Sequence, residues 1–414
     1  MSNAPLLPRL AADPLRAALL DAPAVLIHGP RQCGKSTLAQ AVGEPLGYAY
    51  LTFDDDAVRR SALADPIGFA DRLPGRCILD AIQRVPDLFR TLKRVIDRDR
   101  TAGRFVLAGS TNILLLPELA DSLAGRLEII RLHPLAQVEQ RRTTTSFLSQ
   151  LFDGTMPTSS QPRLGDHLAE LIVAGGYPAA LQRGSAARRA RWYRDYVQAI
   201  VDRDVRELAQ IRALDAVPRL LSLAAGQTAR LLKVSDLAAP FQVSRPTIRD
   251  YVTLLARVFL LEELPPWHSN RLSRLIKTPK LHLGDTGVAC ALLGVTADDL
   301  RADRPLLGQL LETFVVQELR RLASATDSAL TFHHFRDRDG VEVDLVIERG
   351  ARAIAAIEVK AAATVSEADF RGLRKLQNAV GTEFRCGVVL YDGEHALSFG
   401  DRLYAVPLSA LWTS

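Results

Sequence analysis

Residues 25–37 read VLIHGPRQCGKST, an apolar run that closes on Gly29 and is followed by Gly34, a lysine and two hydroxyl residues. The spacing GxxxxGK[ST] between a strand and a helix builds a loop whose backbone N–H groups wrap phosphates. Gly29 and Gly34 allow the tight path, and the helix opening at Lys35 adds its partial positive charge. Gly29, Pro30, Arg31, Gln32, Cys33, Gly34, Lys35, Ser36 and Thr37 are therefore the candidate ATP-binding residues. In this chemistry Lys35 reaches the β- and γ-phosphates and Ser36 ligates magnesium.

Outward from the loop, YLTFDD (50–55), CILD (77–80), FVLAGS (105–110) and LEIIRL (127–132) repeat the apolar run, with helical stretches between them. Continuous apolar strands alternating with helices predict a parallel sheet covered on both faces. CILD ends on Asp80 at a strand tip, where an acid holds the magnesium shell, so Ser36 and Asp80 are the candidate metal residues. One strand, YLTFDD, lies in sequence between the loop and the acid-bearing strand. Ser110, Thr111 and Asn112 follow the FVLAG run, where a strand end places polar groups near a γ-phosphate. Arg126 precedes the next strand as a candidate arginine finger, a group that stabilises charge on a transferred phosphoryl group and acts across a subunit interface in an oligomer.

The motifs GPRQCGKST (29–37), ILDAIQRVPDLF (78–89), LAGSTN (107–112), SLAGR (122–126), GGYP (175–178), PKLHLGDTGV (279–288) and IEVK (357–360) together resemble the prokaryotic AAA+ ATPases that carry a C-terminal domain of the uncharacterised family 4143. The resemblance covers nearly the whole chain and implies binding of ATP and Mg2+. Where that family reads Asp-Glu-Ile-Gln, this chain reads Asp80-Ala81-Ile82-Gln83. The glutamate polarises the attacking water, and alanine accepts no proton, so hydrolysis is expected to be crippled while binding survives. One group missing from an otherwise intact motif reads as a change that traps ATP rather than as decay of the site.

The expected fold class is α/β: a parallel-sheet P-loop AAA+ core over 1–140, a linker and α-helical lid over 141–232, a winged-helix module over 233–304, and an α/β nuclease-like domain over 305–414. RRTTTSFLSQLFDGTMPTSSQPRLG (141–165) is rich in Ser, Thr, Pro and Gly and reads as a loop. The segment 233–267 gives a short helix, a turn, a second helix opening at Ser244 and a β-rich tail, the order of a winged helix. Arg245, Thr247 and Arg249 at its start, with Arg271, Arg274, Lys277 and Lys280 further on, form a candidate DNA-binding stripe suited to phosphates. Glu312, Asp344, Glu358 and Lys360 follow the E…D…ExK order of the PD-(D/E)xK nuclease fold, in which carboxylates bind a magnesium that activates water. Such a site is chemically possible here, and a domain that grips DNA is favoured over one that cuts it. His333 and His334 read as surface residues, without carboxylates at metal-ligand spacing.

A chain of 414 residues with net charge +5 and 48% apolar residues is an ordinary globular protein of several domains. The scattered Cys33, Cys77, Cys290 and Cys386 indicate neither zinc nor a disulfide framework, and no 18-residue apolar span or signal peptide is present, so a cytoplasmic protein without a membrane partner is expected. The functional expectation is an ATPase acting on branched or duplex DNA as a homo-oligomer, a hexameric ring, that translocates or remodels it. The alternatives are an ATP-gated regulatory or defence switch with a protein partner, and an ATP-regulated metal-dependent nuclease. Salt-sensitive DNA binding separates the first of these from the second.

Overall fold

The computed structural model describes residues 6–110, 125–156, 160–206, 216–241, 244–268, 278–326, 329–350 and 353–413, and the chain divides into two compact units. The first comprises residues 1–135 with 257–259. Its strands β1 (Ala24–His28), β2 (Ala49–Thr52), β3 (Cys77–Asp80), β4 (Phe105–Gly109) and β5 (Leu127–Arg131) form one sheet in the order β2-β3-β4-β1-β5, with every pairing parallel. β1, β3 and β4 are buried at every residue, which is why they are apolar without interruption.

The pleat divides these strands between two cores. Ala24, Leu26, Leu79, Phe105 and Leu107 face one side with Phe53, Leu88, Phe89, Leu92, Val95 and Ile96. The last five lie on the helix Asp87–Arg98 at the spacing that makes one apolar stripe. Each such side chain, fully buried, contributes about 1.5–3 kcal/mol. Val25, Ile27, Ile78, Val106 and Ile130 face the other side, against Leu15, Leu38 and Val42. The order places β4 between β1 and β3, so Asp80 and the phosphate loop stand at the same carboxyl edge of the sheet, one strand apart.

The second unit comprises residues 136–256 and 260–414. Helices Asp166–Ala174, Ala186–Ile200 and Thr286–Leu293 pack on one another. A three-stranded antiparallel sheet, β6 (Arg230–Leu231), β7 (Leu261–Leu264) and β8 (Lys280–Leu283) in the order β6-β8-β7, accompanies the helices Val234–Ala238 and Arg245–Arg257. After the helix Arg304–Ala323 comes a mixed sheet of β9 (Leu330–Arg336), β10 (Glu342–Arg349), β11 (Ala353–Lys360), β12 (Phe384–Tyr391), β13 (Leu397–Ser398) and β14 (Leu403–Pro407). Its order is β13-β14-β12-β11-β10-β9. β9, β10 and β11 pair antiparallel; β11, β12 and β14 pair parallel. The parallel β11–β12 step needs a crossover, supplied by the helix Arg371–Val380, whose Leu373 and Leu376 enter a core with Val346, Phe370, Phe384 and Trp267.

Two expectations are corrected here. Within the Ser/Thr/Pro-rich stretch, Phe147–Asp153 is a helix whose Phe147, Leu148, Leu151 and Phe152 are buried, an apolar stripe that outweighs the loop-like composition around it. His333 and His334 are buried rather than on the surface, because they lie on β9 between β10 and the 265–267 segment: His334 accepts the Trp267 amide on its carbonyl, and its amide donates to the Pro265 carbonyl at 3.0 Å. The four cysteines are buried and free. Among the described residues, no helix is long and apolar enough to cross a membrane.

Candidate functional site

The loop between β1 and the helix Lys35–Gly43 takes a path that only its glycines permit. Gly34 caps that helix with φ 101°, a left-handed conformation. A Cβ on Gly29 would stand 2.1 Å from the Leu132 carbonyl oxygen. Gly29→Ala must therefore displace the loop against the end of β5, a strain of about 1–3 kcal/mol. Fluorescent ATP-analogue titration is expected to show weaker binding in that variant, and an unchanged affinity would refute the role of the close approach. The loop is also held from outside, since the Arg9 guanidinium donates to the Cys33 carbonyl at 2.7 Å and to the His133 carbonyl at 2.7 Å. Lys35 is buried and folds over its own loop, donating to the Gly29 and Pro30 carbonyls at 3.0 and 2.7 Å.

Ser36 and Asp80 come together, with the Ser36 hydroxyl donating to Asp80 Oδ2 at 2.7 Å. The Tyr50 hydroxyl donates to the same oxygen at 2.7 Å, and the Ala81 amide donates to Oδ1 at 3.0 Å. Burial, with the Asp80 hydrogen bond next, pushes the Tyr50 hydroxyl up to about 12, so it stays a donor. A hydroxyl and a carboxylate at the mouth of a phosphate loop are hard oxygen donors, and magnesium bound to nucleotide takes only one or two such protein ligands. The residues present therefore fit Mg2+ with a nucleotide.

Ala81 follows directly in the left-handed region, φ 56°, and is nearly buried. Gln83 donates to the Ser110 hydroxyl at 3.1 Å, which links the segment after Asp80 to the end of β4. Thr111 and Asn112 lie outside the described residues. Arg126 is engaged within its own chain, its Nε 2.5 Å from Asp97 Oδ1 and its Nη2 3.0 Å from Oδ2. Sequence reasoning missed Tyr50, Gln83 and Arg9. Gln83 stands within the ILDAIQRVPDLF motif, whereas nothing local marks Tyr50 or Arg9.

In the second unit, Glu312, Asp344, Glu358 and Lys360 line one cavity of about 550 Å3, together with Arg230 and Arg304. Glu312 comes from the helix Arg304–Ala323. Asp344 comes from a register shift in β10 between Val343 and Val346, and Glu358 with Lys360 from the end of β11. Asp344 Oδ2 accepts the Val359 amide at 3.0 Å, and Lys360 donates to Glu358 Oε1 at 3.2 Å. Burial, with the Asp344 charge next, raises the Glu312 carboxyl well above its ordinary range and pushes Glu358 up to about 8.

A fifth residue completes the group. Lys280 is buried on β8, with its Nζ 2.6 Å from Glu312 Oε1 and 3.2 Å from Asp344 Oδ1. This corrects its assignment to a phosphate-binding stripe, because a buried lysine held between two partly buried carboxylates is not offered to a DNA backbone. Arg271, Arg274 and Lys277 lie outside the described residues. Arg245 is exposed at the start of the helix Arg245–Arg257. Thr247 is bonded to Ser244 there, and Arg249 is exposed and paired with Glu263 at 3.0 Å.

Family models match three segments: an AAA domain over residues 21–140, a domain of unknown function (DUF8612) over 165–299, and a domain of unknown function (DUF4143) over 307–411. Proteins of Mycobacterium bovis and Mycobacterium tuberculosis, both described as uncharacterized, are 30% identical over 409 residues, covering 98% of this chain and 85% of theirs. Among solved structures, a Walker-type ATPase of Pyrococcus abyssi aligns at 15% identity over 68% of this chain and 94% of its own, with a TM-score of 0.42. The RuvB Holliday junction branch migration motor of Thermotoga maritima aligns at 18% identity over 62% and 86%, with a TM-score of 0.27.

Proposed function

Because the chain belongs to the family of P-loop ATPases that joins an AAA domain to a DUF4143 C-terminal domain, we propose that it is an oligomeric, DNA-directed ATPase that binds ATP with Mg2+ and is impaired in hydrolysis by Ala81. The observation that carries the nucleotide site is the 2.7 Å hydrogen bond of Ser36 with Asp80 beside a loop that Gly29 and Gly34 alone permit. Ser36 and Asp80 would hold the cation, which would neutralise charge on the phosphates, while Lys35 leaves its loop carbonyls for the phosphates and Ser110 with Gln83 senses the γ-phosphate end. Arg126 exchanges Asp97 for a neighbouring subunit's nucleotide when the ring forms. A finger kept on an exposed carboxylate costs little to release, since exposed ion pairs contribute about 0–1 kcal/mol.

The DNA reading is supported by the helix pair Val234–Ala238 and Arg245–Arg257 followed by β7 and β8, with Arg245 and Arg249 exposed at the leading end of the second helix. The order of elements is that of a winged helix, whose second helix enters a groove. The test is a salt titration of binding to duplex, forked and four-way DNA in the presence of ATP and Mg2+. Removing a side chain that binds a phosphate weakens binding across sequences and lowers the salt slope by about one. Arg245→Ala with Arg249→Ala is therefore expected to lower it by about two in the same assay. A protein that binds none of these DNAs, or binds them without salt dependence, overturns the reading.

A further inference from the structure

The nuclease-like arrangement implies a divalent cation, and the residues here do not fit one. A metal in such a site takes oxygen ligands from the carboxylates themselves. In this chain Glu312 Oε1 and Asp344 Oδ1 close on the Lys280 ammonium at 2.6 and 3.2 Å, Asp344 Oδ2 is taken by the Val359 amide, and Glu358 Oε1 by Lys360. Of the cluster's oxygens, Glu312 Oε2 and Glu358 Oε2 carry no hydrogen bond, the latter buried from solvent. No group of three or more His, Cys, Asp or Glu side chains among the described residues is arranged to hold a metal ion.

We propose that Lys280 is the built-in counter-cation of this cluster, standing between Glu312 and Asp344 where a nuclease of this fold holds its metal, so that the domain binds no divalent ion while Lys280 is in place. The proposal rests on reading Glu312, Asp344, Glu358 and Lys360 as a nuclease-like site. Three crowded carboxylates repel one another unless a cation joins them, and a tethered ammonium supplies that charge without dissociating. Removing one partner of a buried pair is costly because the other is left uncompensated. Burial works against the charged form of Lys280, yet Asp344 and Glu312 outweigh it and hold the ammonium protonated above its ordinary range.

The lysine also has a mechanical consequence. It comes from β8 of the three-stranded sheet, whereas its partners come from the helix Arg304–Ala323 and from β10. It lines a second cavity, of about 340 Å3, with Lys233, Arg336 and Glu342, while its partners Glu312 and Asp344 line the 550 Å3 one. The small sheet and the nuclease-like domain are thus pinned at this point, and a displacement of β8 would uncover the carboxylates.

The test uses the full chain without nucleotide and Mn2+ as the probe, with bound metal counted by electron paramagnetic resonance of the free ion. Wild type and Asp344→Asn are expected to bind the same number of Mn2+ ions, because the cluster takes none. Lys280→Met is expected to gain one Mn2+ per chain, to lose it when Asp344→Asn is added, and to melt at a higher temperature with Mn2+ than without. An Asp344-dependent ion in the wild type overturns the proposal, and so does a folded Lys280→Met protein that gains none. The wild-type comparison stands even where Lys280→Met does not fold, and the balanced variant Lys280→Met with Glu312→Gln supplies a second folded background, in which a gained ion again counts for the proposal and none against it. Forked DNA incubated with Mn2+ in parallel tests the underlying reading. Cutting by the wild type that is lost in Asp344→Asn keeps the nuclease reading and overturns the lysine, whereas cutting by Lys280→Met alone supports both.

Discussion

The Ala81→Glu protein is expected to hydrolyse ATP about 10²–10⁴-fold faster than the chain carrying Ala81, the range that a positioned general base contributes. In barrier terms this is about 3–5 kcal/mol. Asp80 cannot take over the task, because its oxygens serve the cation site with Ser36 and accept from Tyr50 and the Ala81 amide. The backbone at position 81 is left-handed, φ 56°, but alanine and glutamate both carry a Cβ there, so the exchange adds little backbone strain of its own. The affinity for ATP with Mg2+ is expected to stay the same, since Lys35, Ser36 and Asp80 are untouched. Steady-state phosphate release and nucleotide titration on the two proteins check both halves. Equal turnover would mean that the water is oriented by a group other than the residue after Asp80.

The first unit was legible in the sequence almost strand by strand because its sheet is covered on both sides. CILD is β3 to the residue, an apolar run buried at every position. A short helix inside a polar stretch was less legible. Phe147–Asp153 carries its signal in the spacing of FLSQLF, while the Ser, Thr and Pro around it report only that the neighbouring chain turns. Lys280 was illegible for a stronger reason. KLHL alternates polar and apolar residues, and Lys280 reads with its basic neighbours as part of a phosphate-binding stripe. The polar face is instead covered by the helix Arg304–Ala323, where Lys280 meets Glu312 and His282 lies 3.1 Å from the Thr313 hydroxyl. Alternation tells which residues share a face; what covers the polar face is decided by residues distant in the chain, Glu312 and Asp344 among them. The same holds for Asp344, whose presentation depends on a shift of register in β10 that no local pattern announces.

The GGYP and LHLGDTGV motifs are explained by a buried ion network, and breaking it is expected to cost far more stability than breaking a surface ion pair. Asp285, fully buried, caps the helix Thr286–Leu293 by accepting the Gly287 amide at 2.9 Å and reaches across to accept the Gly176 amide at 2.8 Å. A side chain at Gly175 would collide with it, since a Cβ there falls 2.2 Å from Asp285 Oδ1. Arg321 closes the network by donating to Asp285 at 3.0 Å and to Glu318 at 2.7 Å, and Glu318 in turn accepts the Gln137 amide at 2.8 Å. Arg321→Met removes the cation and leaves Asp285 and Glu318, two buried carboxylates, without their guanidinium partner, a loss of about 3–5 kcal/mol for a broken buried pair. Arg191→Met, which breaks an ion pair between exposed side chains of the same unit, Arg191 with Asp195, is the control and is expected to cost at most about 1 kcal/mol. All three tryptophans, Trp192, Trp267 and Trp412, belong to this unit, so their fluorescence in a urea titration follows its unfolding without a contribution from the first unit. A midpoint for Arg321→Met that matches the control would show that Asp285 and Glu318 are satisfied by their remaining partners, and that the arginine serves the fold by its bulk rather than its charge.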